Sequence, residues 1–227
     1  MFIRKRRYKI MVLFLVFALC FSLVLAIVKV IAYNEGNSLL GKVIFIYPGH
    51  GGKDNGASVD NVLEDNINMN ISGYLFELLI EEGAFVLISR AGDYDLASLY
   101  QKNRKKDDLN RRVKYIRDSN PDIFISLHLN TYPSEEVKGA QVFFQGNDDS
   151  RFLANILQEK LNVLTSYSRN SKFGDYFILN NTKNVGVLIE CGFLTNTEER
   201  RKLNDEVYQL KIANSIKKGI VEYFANS

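Results

Sequence analysis

Short, continuously apolar runs alternate with amphipathic segments along most of this chain, and the alternation limits its fold more than any other feature. The runs predict buried strands at six places: 43–47, 84–89, 123–127, 140–145, 176–179 and 185–189. Apolar residues at helical spacing predict helices over 65–82, 108–118, 149–164 and 205–224. Strands that are apolar throughout and separated by helices are typical of a single α/β domain. We expect a twisted, mostly parallel sheet with helices on both faces.

The N-terminal segment has a different character. Residues 10–28 carry no charge and follow a basic cluster between residues 4 and 9. Their length suits a bilayer-spanning helix of about 20 residues better than the 7–15 residues of a cleaved signal's apolar region. We therefore predict a basic cytoplasmic end over 1–9, a transmembrane signal anchor over 10–32, a linker over 33–41 and an extracytoplasmic domain over 42–227. A cleaved signal peptide, which would give a secreted domain, is the alternative.

Charge and cysteine content exclude several classes of function. The net charge of the 227 residues is +3, and much of the basic excess lies in the N-terminal cluster, so we predict no nucleic-acid partner. The two cysteines, Cys20 and Cys191, both lie in apolar segments. This placement argues against a disulfide and excludes a cysteine-based zinc site. A metal ion would have to be held by histidine and carboxylate side chains.

The two histidines of the chain each follow an apolar run. His50 comes after the run that ends at residue 47, and His128 comes directly after residues 123–127. Because the carboxyl ends of parallel strands meet at one edge of a sheet, both imidazoles are expected at the same edge. Glu64 follows a loop at the start of the first helix, and Glu190 directly follows residues 185–189. Two imidazoles and two carboxylates on one rim suit a catalytic zinc site with a general base.

Three further residues belong to this predicted site. Gly51 and Gly52 follow His50 directly and permit backbone conformations that let a substrate approach closely. Asn130 lies two residues past His128, where its amide can donate to a substrate or orient a ligand.

Each of these residues also has a simpler interpretation when taken alone. A histidine after a strand is more often an ordinary loop residue. Glu64 suits the start of a helix because a carboxylate there is favoured by the helix dipole. Glu190 alone is equally explained as a polar strand end, and Cys191 as a small core residue. The joint arrangement, and no single member of it, is what favours a metal site.

Longer motifs strengthen this interpretation. Five runs resemble the zinc-dependent N-acetylmuramoyl-L-alanine amidases of the amidase-3 family. They occur in the family's order, and the resemblance covers nearly everything from Val43 to Phe224. The runs are Tyr47–Ala57, Leu63–Ile67, Asp108–Val113, Phe124–Asn130 and Val187–Asn196. The N-terminal anchor and the stretch 128–145 look most like the germination-specific, CwlD-type amidases of endospore formers.

The resemblance implies a specific chemistry. It places one zinc ion on His50, Glu64 and His128 and the catalytic glutamate at Glu190. The implied substrate is peptidoglycan, cleaved at the amide between the lactyl group of N-acetylmuramic acid and L-alanine. For CwlD-type enzymes it implies a role in forming muramic-δ-lactam in spore cortex. An accessory protein cannot be identified from the sequence.

One position departs from the family pattern, which reads Asp-Pro-Gly-His where this chain has Tyr47-Pro-Gly-His50. Loss of an aspartate that supports the metal would cost about 10–100-fold in metal affinity or activity. We therefore keep three hypotheses. The first is an active amidase, the second a weakened or non-catalytic peptidoglycan-binding homologue, and the third a zinc peptidase acting within the stem peptide.

Overall fold

The computed structural model describes residues 17, 19–25 and 37–227. Most of the predicted anchor at 10–32 falls outside these residues. Within them, no helix has both the length and the apolar character needed to cross a bilayer, so the anchor stays a prediction. The chain divides into two units, Met1–Ser38 and Leu39–Ser227. The second unit begins with Leu39, which is fully buried and donates its backbone N–H to the Glu82 carbonyl at 2.9 Å.

The second unit alternates strands and helices. Its strands are β1 (Val43–Pro48), β2 (Ser58–Val59), β3 (Val62–Leu63), β4 (Phe85–Ile88), β5 (Ile123–Asn130), β6 (Gln141–Phe144), β7 (Lys172–Phe173) and β8 (Gly186–Phe193). Its helices are α1 (Glu64–Glu81), α2 (Arg104–Ser119), α3 (Asp148–Thr165), α4 (Phe177–Asn180), α5 (Thr197–Leu203) and α6 (Glu206–Asn226).

Six strands form one sheet in the order β4-β1-β5-β8-β6-β7. The strands β4, β1, β5 and β8 run parallel, whereas β6 is antiparallel to β8 and β7 is parallel to β6. The predicted α/β domain with a mostly parallel sheet is confirmed. The carboxyl ends of β1, β5 and β8 are neighbours, which is where a ligand site in such a sheet forms.

Helices cover both faces of the sheet. The larger core lies under α1, α3 and α6 and includes residues such as Ile46, Ile71 and Leu157. A smaller core on the other face lies under α2 and α4 and contains Tyr47 and Ile116. Several helices start at side-chain caps of the kind that favour initiation: Asn103 for α2, Asn147 for α3, Asn196 for α5 and Asp205 for α6.

The predicted strand at 176–179 is wrong, because this segment forms the single helical turn α4. Its side chains Ile178 and Leu179 are buried against the smaller core, and β7 takes the place beside β6. A short apolar run fits a buried helical turn as well as a buried strand, so periodicity does not separate them.

The hairpin formed by β2 and β3 was also not predicted. Its turn residues Asp60 and Asn61 have positive φ values of 49° and 62°, as tight hairpin turns require. The hairpin ends at Leu63, and α1 begins at the next residue, so the hairpin sets the position of Glu64.

Candidate active site

The four residues that the sequence predicts as metal ligands and general base lie together at the carboxyl edge of the sheet. His50 follows β1 and has a φ of 59°, a left-handed conformation that is uncommon for a residue with a side chain. Glu64 is the first residue of α1, His128 lies near the end of β5, and Glu190 lies in β8. One nitrogen from each histidine and one oxygen of Glu64 all lie within 4.8 Å of one another.

Glu64 is the centre of this group. Its Oε1 lies 3.1 Å from His50 Nε2 and 3.0 Å from His128 Nδ1, and it accepts the Leu129 backbone N–H at 3.1 Å. Its Oε2 accepts the Ala57 N–H at 2.8 Å. Burial opposes ionisation, but the contacts with the two histidines outweigh it and hold the pKa of the Glu64 carboxyl well below its usual range. Glu64 is therefore an ionised, firmly oriented carboxylate.

His50 has a carboxylate partner of its own. Asp54 Oδ2 lies 3.2 Å from His50 Nδ1, on the opposite side of the ring from Glu64. Burial lowers the pKa of His50, but Glu64 and Asp54 raise it by more. A carboxylate at Nδ1 fixes the tautomer that leaves the Nε2 lone pair available to a metal. The sequence reasoning did not single out Asp54, although its position four residues after His50 was visible.

Glu190 has a different environment from Glu64. It is 7% exposed, and within the described part of the chain its Oε2 has no hydrogen-bond partner. Burial, together with the nearby charge of Glu64, raises the pKa of Glu190 to about 8. Glu190 is the register partner of His128 on the neighbouring strand. It is therefore a carboxyl group placed beside the three ligands but outside their group.

Two buried arginines, which the sequence reasoning missed, hold the loop that carries His50. Arg112 is 0% exposed and donates to the carbonyls of Pro48 at 2.7 Å and His50 at 2.5 Å. Arg90 is 1% exposed and donates to the Gly49 carbonyl at 2.9 Å. Asp108 accepts from Arg112 Nε at 2.8 Å and balances part of the buried charge. Hydrogen bonds from these two guanidinium groups to backbone carbonyls therefore stabilise the conformation of the loop.

Tyr47, the departure from the family pattern, is part of the smaller core. Its ring lies under the Arg112 guanidinium at 4.6 Å and stacks with the His128 ring at a centroid distance of 6.0 Å. Burial raises the pKa of the Tyr47 hydroxyl to about 12, so it is neutral. Tyr47 thus packs against the His128 ring, while the carboxylate next to His50 is supplied by Asp54.

Gly51 and Gly52 face protein and not open space. A Cβ on Gly51 would lie 2.8 Å from the Tyr94 carbonyl, and a Cβ on Gly52 would lie 2.7 Å from the Asp95 backbone nitrogen. The Gly52 N–H donates to Asp93 Oδ1 at 2.6 Å. These glycines allow the His50 loop to pack tightly against the segment after β4.

Asn130 lies at the end of β5, where the register with β8 shifts and Asn130 pairs with Phe193. Its Oδ1 accepts the Thr131 backbone N–H at 2.8 Å. Asn130 also lines a cleft of about 570 Å³ that extends across the ends of β5, β8, β6 and β7. A substrate in this cleft would therefore lie beside Asn130, two residues after His128.

The donor set fits a zinc ion. Two imidazole nitrogens and one carboxylate oxygen are the ligands of several catalytic zinc sites, which keep a further position for water. The burial of Glu64 and the short distances from its Oε1 to both rings place three donors around one point. Among the residues that the structure describes, Glu190 Oε2 has no hydrogen-bond partner, and it adds a buried acceptor beside these three donors.

An α/β sheet with a His–Glu–His group and a separate buried carboxylate at its edge is the arrangement found in hydrolases that use a metal ion. The chain belongs to the N-acetylmuramoyl-L-alanine amidase family Amidase_3, whose model matches residues 44–222. The chain is accordingly a peptidoglycan amidase.

Individual relatives agree with this assignment. The chain is 38% identical over 192 residues to the germination-specific N-acetylmuramoyl-L-alanine amidase of Bacillus subtilis strain 168, covering 82% of this chain and 81% of that protein. It is 30% identical over 198 residues to the amidase LytC of the same organism, covering 86% of this chain but 38% of LytC. The match therefore spans most of this chain but less than half of LytC.

Among solved structures, the chain resembles the CwlD amidase from Clostridioides difficile in complex with the GerS lipoprotein. The TM-score is 0.80 at 34% identity, covering 82% of this chain and 100% of that one. An N-acetylmuramoyl-L-alanine amidase from Clostridium difficile 630 gives a TM-score of 0.73 at 27% identity, covering 82% and 98%.

Proposed function

We propose that the chain hydrolyses the amide between N-acetylmuramic acid and L-alanine with a single zinc ion held by His50, Glu64 and His128. The observation that carries the proposal is the convergence of three ligand atoms within 4.8 Å, beside a buried Glu190 oxygen that has no hydrogen-bond partner in the described part of the chain. In this assignment Glu190 is the catalytic residue. Asp54 and Arg112 position the ligands.

Bound zinc would supply Lewis acidity at the substrate carbonyl and lower the pKa of its water towards ~7. Glu190 accepts a proton from the attacking water and later gives it to the leaving nitrogen of L-alanine. The C–N bond breaks, and the products are the lactyl carboxylic acid of muramic acid and a peptide with a free amine. The position of Glu190 supports this role, because it is buried beside the three ligands and its Oε2 has no hydrogen-bond partner among the described residues.

We further propose that the reaction belongs to spore cortex maturation, in the step that prepares muramic-δ-lactam formation. The likeness to a germination-specific amidase supports this role. The likeness to a CwlD amidase that forms a complex with a lipoprotein supports an accessory partner for this chain as well. The apolar segment at 10–28 supports a membrane tether with the catalytic domain outside the cytoplasm.

The alternative of a weakened or non-catalytic homologue is not favoured. It rests on Tyr47, whose ring packs against the His128 ring, and His50 has a carboxylate partner in Asp54. The family match argues against a peptidase acting within the stem peptide.

The test uses the full-length chain, purified in detergent with zinc, and defined muropeptides. Metal analysis and mass spectrometry are made on the same sample. We expect about one zinc per chain and products in which L-alanine has gained a free amine. Glu190→Gln is expected to stop release, and Glu159→Gln, on the exposed side of α3, is the matched control. Stoichiometric zinc without any released peptide would contradict the proposal, and cleavage between two amino acids would indicate a peptidase.

A further inference from the structure

The cleft beside the active site carries more positive than negative charge. Its lining contains Arg169 and Lys172, and Glu136 is the one acidic side chain in it. Aromatic and amide side chains make up much of the remainder. A cleft with this balance favours an anionic ligand.

Arg169 is held in a fixed orientation. Its Nε and Nη2 donate to the Lys138 carbonyl at 3.0 and 2.6 Å. Its guanidinium also stacks against the rings of Tyr167 at 5.5 Å and Phe193 at 5.2 Å. A planar guanidinium that is already ordered binds a carboxylate with less loss of conformational freedom.

Neither cation of the cleft is neutralised by a neighbour. Among the described residues, Arg169 and Lys172 form no ion pair. The nearby Glu199 carboxylate interacts with Arg169 at long range. Its two oxygens already accept the N–H groups of Gly139 at 2.8 Å and Phe193 at 2.9 Å. The cleft thus has positive charge available for a ligand.

The cleft is directly connected to the catalytic edge. Asn130 lines it and lies two residues after His128 in β5, a separation of about 7 Å along a strand. Gln141, another lining residue, is the register partner of Glu190. The cleft therefore begins beside the strand ends that carry His128 and Glu190, and a substrate held at the metal group can extend into it.

We infer that this cleft is a carboxylate-binding subsite for the stem peptide of the substrate. Arg169 and Lys172 would bind the free α-carboxylate of the second peptide residue, one residue beyond the amide that is cleaved. The inference rests on the proposed function, since it concerns the peptide side of the same substrate. It assigns Arg169 and Lys172 to substrate specificity and gives them no part in the chemical step.

The experiment compares two muramoyl tripeptides that differ only at the second residue, which is D-glutamate in one and its α-amide, D-isoglutamine, in the other. The full-length wild-type enzyme is expected to have a kcat/KM about tenfold higher for the acid, mainly through KM, as charge-assisted hydrogen bonds contribute. Arg169→Gln should remove most of this preference. Lys172→Gln should reduce it by about threefold, because Lys172 is exposed and its interaction is screened.

Two controls keep the outcomes distinct. In the described part of the chain, the Lys172 side chain forms no hydrogen bond or ion pair, so Lys172→Gln tests the subsite even if Arg169→Gln fails to fold. Lys183→Gln removes an exposed charge just before β8 begins, at the opposite end of that strand from Phe193, and should leave the preference unchanged. Equal rates for both peptides with the wild type, or variants that slow both peptides equally, would overturn the subsite. If the wild type cleaves neither peptide, the proposed function fails instead.

Discussion

His128 and Glu190 are register partners on the neighbouring parallel strands β5 and β8. Partners in adjacent strands are about 4.8 Å apart and present their side chains on the same face of the sheet. The sheet itself therefore sets the separation between a candidate metal ligand and the candidate general base. Both residues lie within paired strands, and neither is held by a loop.

Replacement of Glu190 by glutamine is expected to lower kcat by about 10²–10⁴-fold, because an amide cannot take up the water's proton. Zinc content should stay at the wild-type value, since the three ligands are untouched. Turnover of a muropeptide and metal analysis on the same preparation check both statements. Glu159→Gln should match the wild type, and a fully active Glu190→Gln enzyme would remove Glu190 from the mechanism.

Removal of zinc by a chelator is expected to abolish activity and to lower Tm. Zinc at about 100 times its Kd adds about 2.7 kcal/mol to stability, which for a domain of this size is about 5–10 °C. Differential scanning calorimetry with and without chelator measures the shift, and added zinc should restore both properties. His128→Ala should show no chelator-dependent shift. A wild-type Tm that does not change when the chelator is added would argue against a zinc site.

The contact between Asp54 and His50 predicts a role for Asp54 in metal affinity. Asp54→Asn keeps the size of the side chain but removes the charge that orients the ring, and zinc affinity should fall by about 10–100-fold. Competition with a chromogenic zinc chelator gives the affinity. Asp118→Asn, which removes an exposed carboxylate at the end of α2, should change nothing. Equal affinities in both variants would mean that His50 needs no carboxylate.

The packing of Tyr47 predicts that restoring the family aspartate brings no gain. Tyr47→Asp should leave zinc affinity at or below the wild-type value, since it removes the ring that packs against His128, and His50 Nδ1 already has Asp54 as its partner. It should also reduce the free energy of unfolding by about 3 kcal/mol, because a buried ring is lost. Tyr47→Phe, which keeps the ring, is the control. A rise in both zinc affinity and turnover in Tyr47→Asp would instead support the weakened-homologue hypothesis.

The raised pKa of Glu190 predicts a pH-dependent stability difference in the metal-free protein. Its folded pKa is about 8, whereas the ordinary value is 4.5. The stability linked to this proton is fully present below pH 4.5 and is lost as pH rises to about 8. The metal-free Glu190→Gln variant does not lose this stability. The difference between its free energy of unfolding and that of the wild type should therefore be small near pH 4.5, grow up to pH 8 and then stay constant. Urea unfolding with chelator at several pH values measures the difference, and a pH-independent difference would contradict the assigned pKa.

The longer elements could be predicted from the sequence because burial on both sides makes a strand apolar throughout. This holds for β1, β5 and β8, and it placed His50, His128 and Glu190 at one edge. The two-residue strands β2, β3 and β7 are too short to show any period. The segment 176–179 was misassigned for the same reason.

The supporting contacts of the site could not be predicted, because they join distant parts of the chain. Arg112 binds carbonyls of Pro48 and His50, 64 and 62 residues earlier. A backbone carbonyl is the same group at every position, so the sequence contains no sign of which one an arginine will reach. Asp54 was within reach of local reasoning, since only four residues separate it from His50.

The two buried arginines have a consequence for the surroundings in which the enzyme works. Salt and charged polymers around an enzyme screen the charges on its surface. Screening weakens exposed ion pairs, but it has little effect on charges that solvent ions cannot approach. Arg90 and Arg112 are almost fully buried and bind backbone carbonyls. The conformation of the His50 loop should therefore be nearly independent of the salt and polyanions around it.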